Sequence, residues 1–264
     1  MVKLLGIVAG TALLAAMGLP AVAADLYEPP VVEYEEAPPP SYAGWYLRGH
    51  IGMSNQHFDG LDYFRYNDPA IIMTWPERGG FDSAPLFGVG VGYQVNQWLR
   101  GDLTAEYRAG STFHALDTVL DAADPDNVIS VNDYGGKKSE WLFLANAYVD
   151  LGNFRGLKPY IGAGIGASRN TISEFIDTNI YNGGGGYAEN GSLWQLAWAL
   201  HAGVGYEITD QVTLDLGYSF VNLGDAKTGP AHNFDPSITV PNDGFRFKNL
   251  YSHDIKFGVR YKFN

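Results

Sequence analysis

Apolar and polar residues alternate one by one through much of the chain beyond position 44. The clearest case is the C-terminal stretch LYSHDIKFGVRYKFN at 250–264. His253, Ile255, Phe257, Val259, Tyr261 and Phe263 fall on one side of it, and Asp254, Lys256, Gly258, Arg260 and Lys262 on the other. A period of two is the signature of a β-strand. One such strand fits a soluble sandwich with its apolar face inward as well as a membrane barrel with that face toward lipid, so the remaining segments have to decide.

Seven earlier segments repeat the pattern. Trp45, Leu47, Ile51 and Met53 oppose Tyr46, Arg48 and His50. Phe87, Val89, Val91 and Tyr93 oppose Gly88, Gly90 and Gly92. Leu99, Leu103, Ala105 and Tyr107 oppose Arg100, Asp102, Thr104, Glu106 and Arg108. In WLFLANAYVDLG, Trp141, Phe143 and Val149 oppose a partly polar face with Asn146, Tyr148 and Asp150. Ile161, Ala163 and Ile165 then oppose Gly162, Gly164 and Gly166. Trp194, Leu196, Trp198 and Leu200 oppose Gln195, Ala197, Ala199 and His201. Val212, Leu214, Leu216, Tyr218 and Phe220 oppose Thr213, Asp215, Gly217 and Ser219. With the last stretch these make eight strands. The predicted connections alternate between long (57–80, 114–139, 174–191, 222–249) and short (96–98, 152–158, 208–211). Long loops on one side and tight turns on the other are the layout of an outer-membrane barrel, and an even strand number returns both termini to the short-turn side, the periplasm.

The charged face has a physical reading in that architecture. Arg48, Arg100, Asp102, Glu106, Arg108, Asp215, Lys256 and Arg260 are ruinous in lipid, but inside a barrel they can pair. Eight strands enclose a lumen that side chains fill, or one that holds at most a small ligand, which argues against a diffusion pore. The soluble competitor is a lipocalin-like barrel with the Trp194–Leu200 stripe inward. Aromatics near predicted strand ends (Trp45, Tyr93, Tyr107, Tyr206, Tyr218, Tyr261, Phe263) instead match the two interfacial girdles of a membrane barrel. The expected fold is therefore all-β: an eight-stranded antiparallel transmembrane β-barrel over 44–264, with four long extracellular loops and short periplasmic turns. Trp198 is expected to face lipid and His201 the lumen.

The N-terminus MVKLLGIVAGTALLAAMGLPAVAA joins a basic Lys3, an apolar run and small residues, the pattern of a signal peptide over 1–24. The following residues 25–43, rich in proline and glutamate, read as an extended leader. The absence of cysteine excludes thiol catalysis and thiolate metal sites, and a net charge of -12 argues against nucleic acid as a partner. The 33 glycines and 17 tyrosines suit strands and interfaces better than helices.

Several stretches carry a resemblance: AADLYEPP, GWYLRGHIG at 44–52, GVGVGYQVNQWLRGDLTAEYR at 88–108, ANAYVDLGNFRGLKPYIGAGIG at 145–166 and KFGVRYKF at 256–263. Together they are similar to the outer-membrane surface-antigen proteins of alphaproteobacteria, a branch of the OmpA-like eight-stranded barrels. The resemblance covers nearly the whole mature chain. It implies an abundant structural protein of the cell outer membrane that supports envelope integrity and presents surface loops. The implied partners are outer-membrane lipids and lipopolysaccharide, the barrel-assembly machinery during insertion, and peptidoglycan or host-surface contacts. Family members commonly end on the aromatic residue itself, whereas here Asn264 follows Phe263.

Candidate chemistry is sparse. There is no HExxH motif and no tight histidine pair with metal spacing. His50 and His201 are expected inward, and His57 and His114 near loop bases, where a haem site is the alternative to solvated loop histidines. The alternative to a structural role is a narrow porin-like or haem- or small-solute-binding barrel, and behind it a rim-site outer-membrane enzyme. Ser252, His253 and Asp254 cannot form a triad, because adjacent strand residues point to opposite faces. Asp102, Glu106 and Asp215 share their face with basic residues and read as ion pairs rather than as catalytic carboxylates. The aspartates at 117, 121, 124, 126 and 133 miss the calcium-loop spacing and read as a solvated loop, and NGGGGY at 182–187 reads as a loop tip. The sequence thus predicts no catalytic, cofactor-binding or metal-ligating residues, no cofactor and no enzymatic activity.

Overall fold

The computed structural model describes residues 43–239 and 244–263. The expected signal peptide, the leader up to residue 42, and Asn264 lie outside the described residues. Residues Ser41–Asn264 cluster as one compact unit.

Twelve strands form among the described residues. They are β1 (Gly44–His57), β2 (Gly60–Asp62), β3 (Ile71–Phe81), β4 (Ala84–Gln94), β5 (Leu99–Asp121), β6 (Val128–Asp150), β7 (Leu157–Asn179), β8 (Gly185–Ala188), β9 (Gly191–Glu207), β10 (Val212–Lys227), β11 (Ala231–Asn233) and β12 (Arg246–Lys262). Eight of them close a ring by antiparallel pairing in the order β1, β4, β5, β6, β7, β9, β10, β12 and back to β1. These are the eight strands the alternation predicts. Among the described residues one 3-10 turn, at Phe64–Asn67, interrupts the strand pattern, and no helix there is long and apolar enough to cross a membrane.

The apolar stripes face outward. Val89, Leu103, Leu196 and Ile255 are 66%, 62%, 69% and 64% exposed, which in water would leave a continuous greasy belt. Aromatics bound that belt. Trp45, Tyr93, Tyr206, Tyr261 and Phe263 rim the end near the termini, and Tyr107, Trp141 and Trp194 the other. Trp45 meets Tyr93 edge-on at 5.3 Å, and Tyr107 meets Trp141 at 4.9 Å. Inward glycines give the enclosed side chains room. A Cβ on Gly203 would lie 2.6 Å from the Tyr160 ring, so this wall position cannot carry a side chain without moving that ring.

The four long connections depart from the expectation of loops. β5 and β6 pair nearly to their tips, so most of 114–139 is hairpin, and β7, β10 and β12 extend likewise. The 23 residues of β5, at about 3.3 Å each and a tilt of about 40°, climb roughly 58 Å against an apolar band of about 25 Å. More than half of the barrel therefore stands beyond the belt.

There its logic inverts. Along β5 the buried residues are Arg100, Asp102, Thr104, Glu106 and Arg108. After a register shift between Arg108 and Ser111 they become Ser111, Phe113, Ala115, Asp117 and Val119. A similar shift interrupts the β6–β7 ladder between Gly135 and Lys137. A bulge inserts one residue and flips every later side chain to the other face. Above the belt the interior is consequently an apolar core with Phe81, Phe113, Tyr134, Phe175, Phe245 and Phe247 at its centre, while Lys137, Glu174 and His114 face outward. One closed sheet has an inside-out half that suits lipid and an ordinary half that suits water.

Candidate functional site

The lumen is the first candidate. At its lower end Gln94 and Arg100 bond to Asp150, and the Arg100 guanidinium lies between two rings, 4.1 Å from Tyr148 and 4.6 Å from Tyr160. Arg260 grips Asp215 through two nitrogens at 2.7 and 3.0 Å, the fork geometry that makes Arg–carboxylate pairs strong. Above these, Asp102 accepts from Tyr46, Arg48 and Asn146. Asn146 Nδ2 also donates to Thr104, and its Oδ1 faces His201 Nε2 at 3.1 Å. That arrangement puts the His201 proton on Nε2 and leaves Nδ1 to accept from Ser219 at 2.8 Å.

The next layer centres on Glu106. Lys256 Nζ lies 2.6 Å from its Oε1, His50 Nε2 3.1 Å from the same oxygen, and Arg108 3.3 Å from Oε2. Arg108 is wholly buried and bonds Asp254 at 2.5 Å. Its Nη1 faces Glu140 at 3.3 Å. Lys138 joins Glu140 and Gln56 on top, and its ammonium sits 5.5 Å from the Phe81 ring, where the polar belt meets the aromatic core.

All eight charged residues expected inward are there. Lys138, Glu140, Asp150 and Asp254 complete the set. Their parity gave Asp150 and Asp254 away, and the same period continued backward from Trp141 reaches Glu140 and Lys138. Six basic groups (Arg48, Arg100, Arg108, Lys138, Lys256, Arg260) thus meet six acidic ones (Asp102, Glu106, Glu140, Asp150, Asp215, Asp254). The lumen is neutral, so the chain's net charge of -12 lies outside it. A small polar cavity lined by His50, Glu106, Asn146, His201 and Lys256, about 20 Å³, has room for one or two waters.

The second candidate is the outer core. The chain between β2 and β3 is held down through Tyr66, which donates to Tyr134 at 3.1 Å. Tyr134 in turn donates to Asp117 at 2.7 Å, and Asn132 bonds the other Asp117 oxygen at 2.8 Å. Asp117 was expected in a solvated loop; the hairpin instead buries it completely. Burial raises the pKa of Tyr66 and Tyr134, and raises Asp117 against the bonds that Tyr134 and Asn132 give it. Asp177 has a buried, unpartnered Oδ1. Burial first, and then Asp117, push its carboxyl up to about 7, with Arg65 opposing. NGGGGY is a tip only in its first half: Gly183, Gly184 and Gly185 take positive φ and Asn182 is tied to the Ile129 carbonyl at 3.0 Å, while Gly185, Gly186 and Tyr187 enter the short strand β8, paired with β7 and β11.

The remaining candidates separate. His57 and His114 face outward from β1 and β5. Ser252 and Asp254 are buried, while His253 points outward and bonds Tyr218. Among the described residues no three His, Asp or Glu side chains converge as metal ligands.

Comparison with known proteins places these features. An uncharacterized protein of Brucella abortus is 34% identical, the match covering 92% of this chain and 93% of that one. A Rickettsia massiliae protein named "Putative adhesin" is 28% identical over 82% of this chain and 87% of its own. Among solved structures, neisserial surface protein A aligns with a TM-score of 0.43 at 18% identity, covering 84% of this chain and 99% of that one. OprG of Pseudomonas aeruginosa aligns with a TM-score of 0.45 at 16% identity, covering 83% and 97%. The family described as "Outer membrane protein beta-barrel domain" matches residues 9–263, and the chain belongs to it: an all-β barrel of the cell outer membrane.

Proposed function

We propose that this barrel is a non-enzymatic, non-conducting structural protein that supports the outer membrane and holds a rigid platform outside it. The observation that carries this reading is the filled interior, which runs from the Arg100–Asp150 pair, through the twelve-charge belt, to the aromatic core around Phe113 and Phe247. A buried ion-pair network gives a solute no free path, and a packed apolar core above it excludes water. The outward stripes anchor the lower half among outer-membrane lipids, and the upper half stands among the lipopolysaccharide sugars. The test is conductance of the purified protein in planar bilayers together with detergent sensitivity of a deletion strain. A silent bilayer and a sensitive strain rescued by the wild-type gene are expected. Stable single-channel currents would replace this reading with a porin.

A second role, adhesion, has its own support. The outer tips carry Ile176, Ile180, Tyr181, Tyr187 and Phe234, each between 44% and 60% exposed to water rather than lipid. Exposed apolar clusters rimmed by polar groups mark interaction surfaces, and Rickettsia relatives carry the adhesin name. Replacing Tyr181, Tyr187 and Phe234 with alanine is expected to abolish attachment to host cells while the envelope phenotype stays rescued.

A further inference from the structure

His57 on β1 and His253 on β12 both face outward at the upper edge of the apolar belt. Asn55 pairs with His253 and His57 with Tyr251, so the two histidines are diagonal cross-strand neighbours. Their ring centroids are 5.7 Å apart and the planes nearly perpendicular. Two imidazoles on one ion, each nitrogen about 2.0–2.1 Å from it, put the centroids roughly 5.2 Å apart at a tetrahedral angle and roughly 4.5 Å apart in adjacent positions of a square-planar ion. The observed spacing is about half an ångström from the first and about one ångström from the second, a gap that a small side-chain rotation closes.

The packing around the pair uses the rings and leaves their nitrogens. His57 stacks on Tyr251 at 5.3 Å, and Phe220 meets His253 at 5.4 Å. The one ring nitrogen in a hydrogen bond is His253 Nδ1, 2.7 Å from the Tyr218 hydroxyl. That bond is the kind that orients a ligating histidine: with the proton on Nδ1 and donated to the phenol oxygen, Nε2 is free to ligate and no proton need leave. The other histidines offer no such pair among the described residues. His50 and His201 are committed in the lumen, His232 bonds Glu189, and His114 stands apart on β5. The chain has no cysteine to compete for the ion.

We propose that His57 and His253 form a surface site for a borderline-soft divalent ion, Cu²⁺ ahead of Ni²⁺ and Zn²⁺, with Tyr218 as the positioning residue. The order follows the general ranking of these ions at nitrogen sites. Only two protein ligands are supplied, so the remaining positions stay open to water or to a donor group of an external molecule. The site lies outside the lumen and is independent of the structural role.

The test is Cu²⁺ titration of the folded protein in detergent, read by calorimetry and electron paramagnetic resonance. Heat-modifiable gel mobility reports whether each variant is folded. The wild type is expected to bind one equivalent with two nitrogens in the spectrum. His57→Asn and His253→Asn should each lose more than tenfold in affinity and drop to one nitrogen. Tyr218→Phe should keep the stoichiometry and weaken affinity severalfold, while His114→Asn and His232→Asn should change nothing. The proposal is overturned if the His57→Asn/His253→Asn double variant binds Cu²⁺ as well as the wild type. It is equally overturned if each single variant merely halves the number of independent sites.

Discussion

Replacing Glu106 with leucine tests the ion belt where it is most tightly coupled. One carboxylate serves Lys256 at 2.6 Å, His50 at 3.1 Å and Arg108 at 3.3 Å, and it is 3% exposed. Leucine leaves the neutral lumen with one net positive charge. Arg108 keeps Asp254 and Glu140, but Lys256 retains only Asp254, at 3.8 Å. Breaking a buried pair from one side costs about 3–5 kcal/mol. Lys256 and Glu106 border the small cavity, and water entering there can partly solvate the stranded ammonium, so the lower end, about 3 kcal/mol, is expected. Adding Lys256→Met removes the orphan charge. The double variant then loses chiefly the acceptor for His50, about 1–2 kcal/mol. The coupling between the two sites should thus be about 2 kcal/mol or more. Urea unfolding in lipid vesicles, followed by tryptophan fluorescence, measures all three variants. A Glu106→Leu cost below about 1 kcal/mol, or a double variant as costly as both singles added, would refute the claim that the belt is a coupled, desolvated network.

Other predictions probe the belt, the outer core and its acid group. Leu200 lies midway along β9 between the girdle residues Trp194 and Tyr206, so Leu200→Arg should cost about 2–4 kcal/mol in vesicles and Trp194→Arg less than about 1; equal costs would misplace the lipid band. Phe113→Ala removes a 1%-exposed ring that touches Phe58, Phe81, Phe175 and Phe247; it should cost about 3–5 kcal/mol yet leave planar bilayers silent, because the ion belt still fills the lumen. Asp177 sits above its ordinary value, at about 7, so its protonated form favours the closed outer core. That contribution is complete below about pH 4 and is lost as pH rises through 7. Partial exposure reduces it to about 1–2 kcal/mol. Hydrogen exchange in the outer core should speed up from pH 5 to pH 8 in the wild type beyond the intrinsic rate change, and Asp177→Asn should flatten the excess.

The lower barrel was legible because lipid imposes one rule on every strand. A residue facing acyl chains must be apolar, so the outward stripe is strict even where the inward one mixes Gly, Arg and Tyr. From Trp194 to Tyr206 no outward position on β9 is polar. Water imposes no such rule. On the outer stretch of β5, His114, Leu116 and Thr118 share the solvent side, while Phe113, Ala115 and Asp117 share the interior, and neither set reads as a face. The bulge beyond Arg108 also breaks the parity, so a period counted from Leu99 runs out of step at Ser111. The same break hid the outer core. Phe113 and Phe175 come inward only if the register shift is known, and Phe245 and Phe247 precede the stretch where β12 alternates cleanly.

That division explains what the molecule asks of its two halves. In the lower half burial cannot drive folding from the inside, since lipid is as apolar as any core, and the interior can be polar if every charge is matched. Six against six is that condition met. Directional pairs also hold a specific register, because Arg100 and Arg260 each meet a single carboxylate, Asp150 and Asp215, and Arg108 sits where Glu106, Glu140 and Asp254 converge. The upper half has water outside and gains from the ordinary hydrophobic effect, so its interior turns aromatic where the belt ends. Lys138 marks the changeover, paired with Glu140 below and lying beside the Phe81 ring above. A rigid lower barrel alone would end at the headgroups; continuing the same strands into a second, water-stable core carries the exposed Tyr181 and Tyr187 about 30 Å clear of them. In the proposed role that reach is what lets the loops be felt through a layer of lipid-borne sugars, and silent planar bilayers are the check that separates it from a pore with an extended mouth.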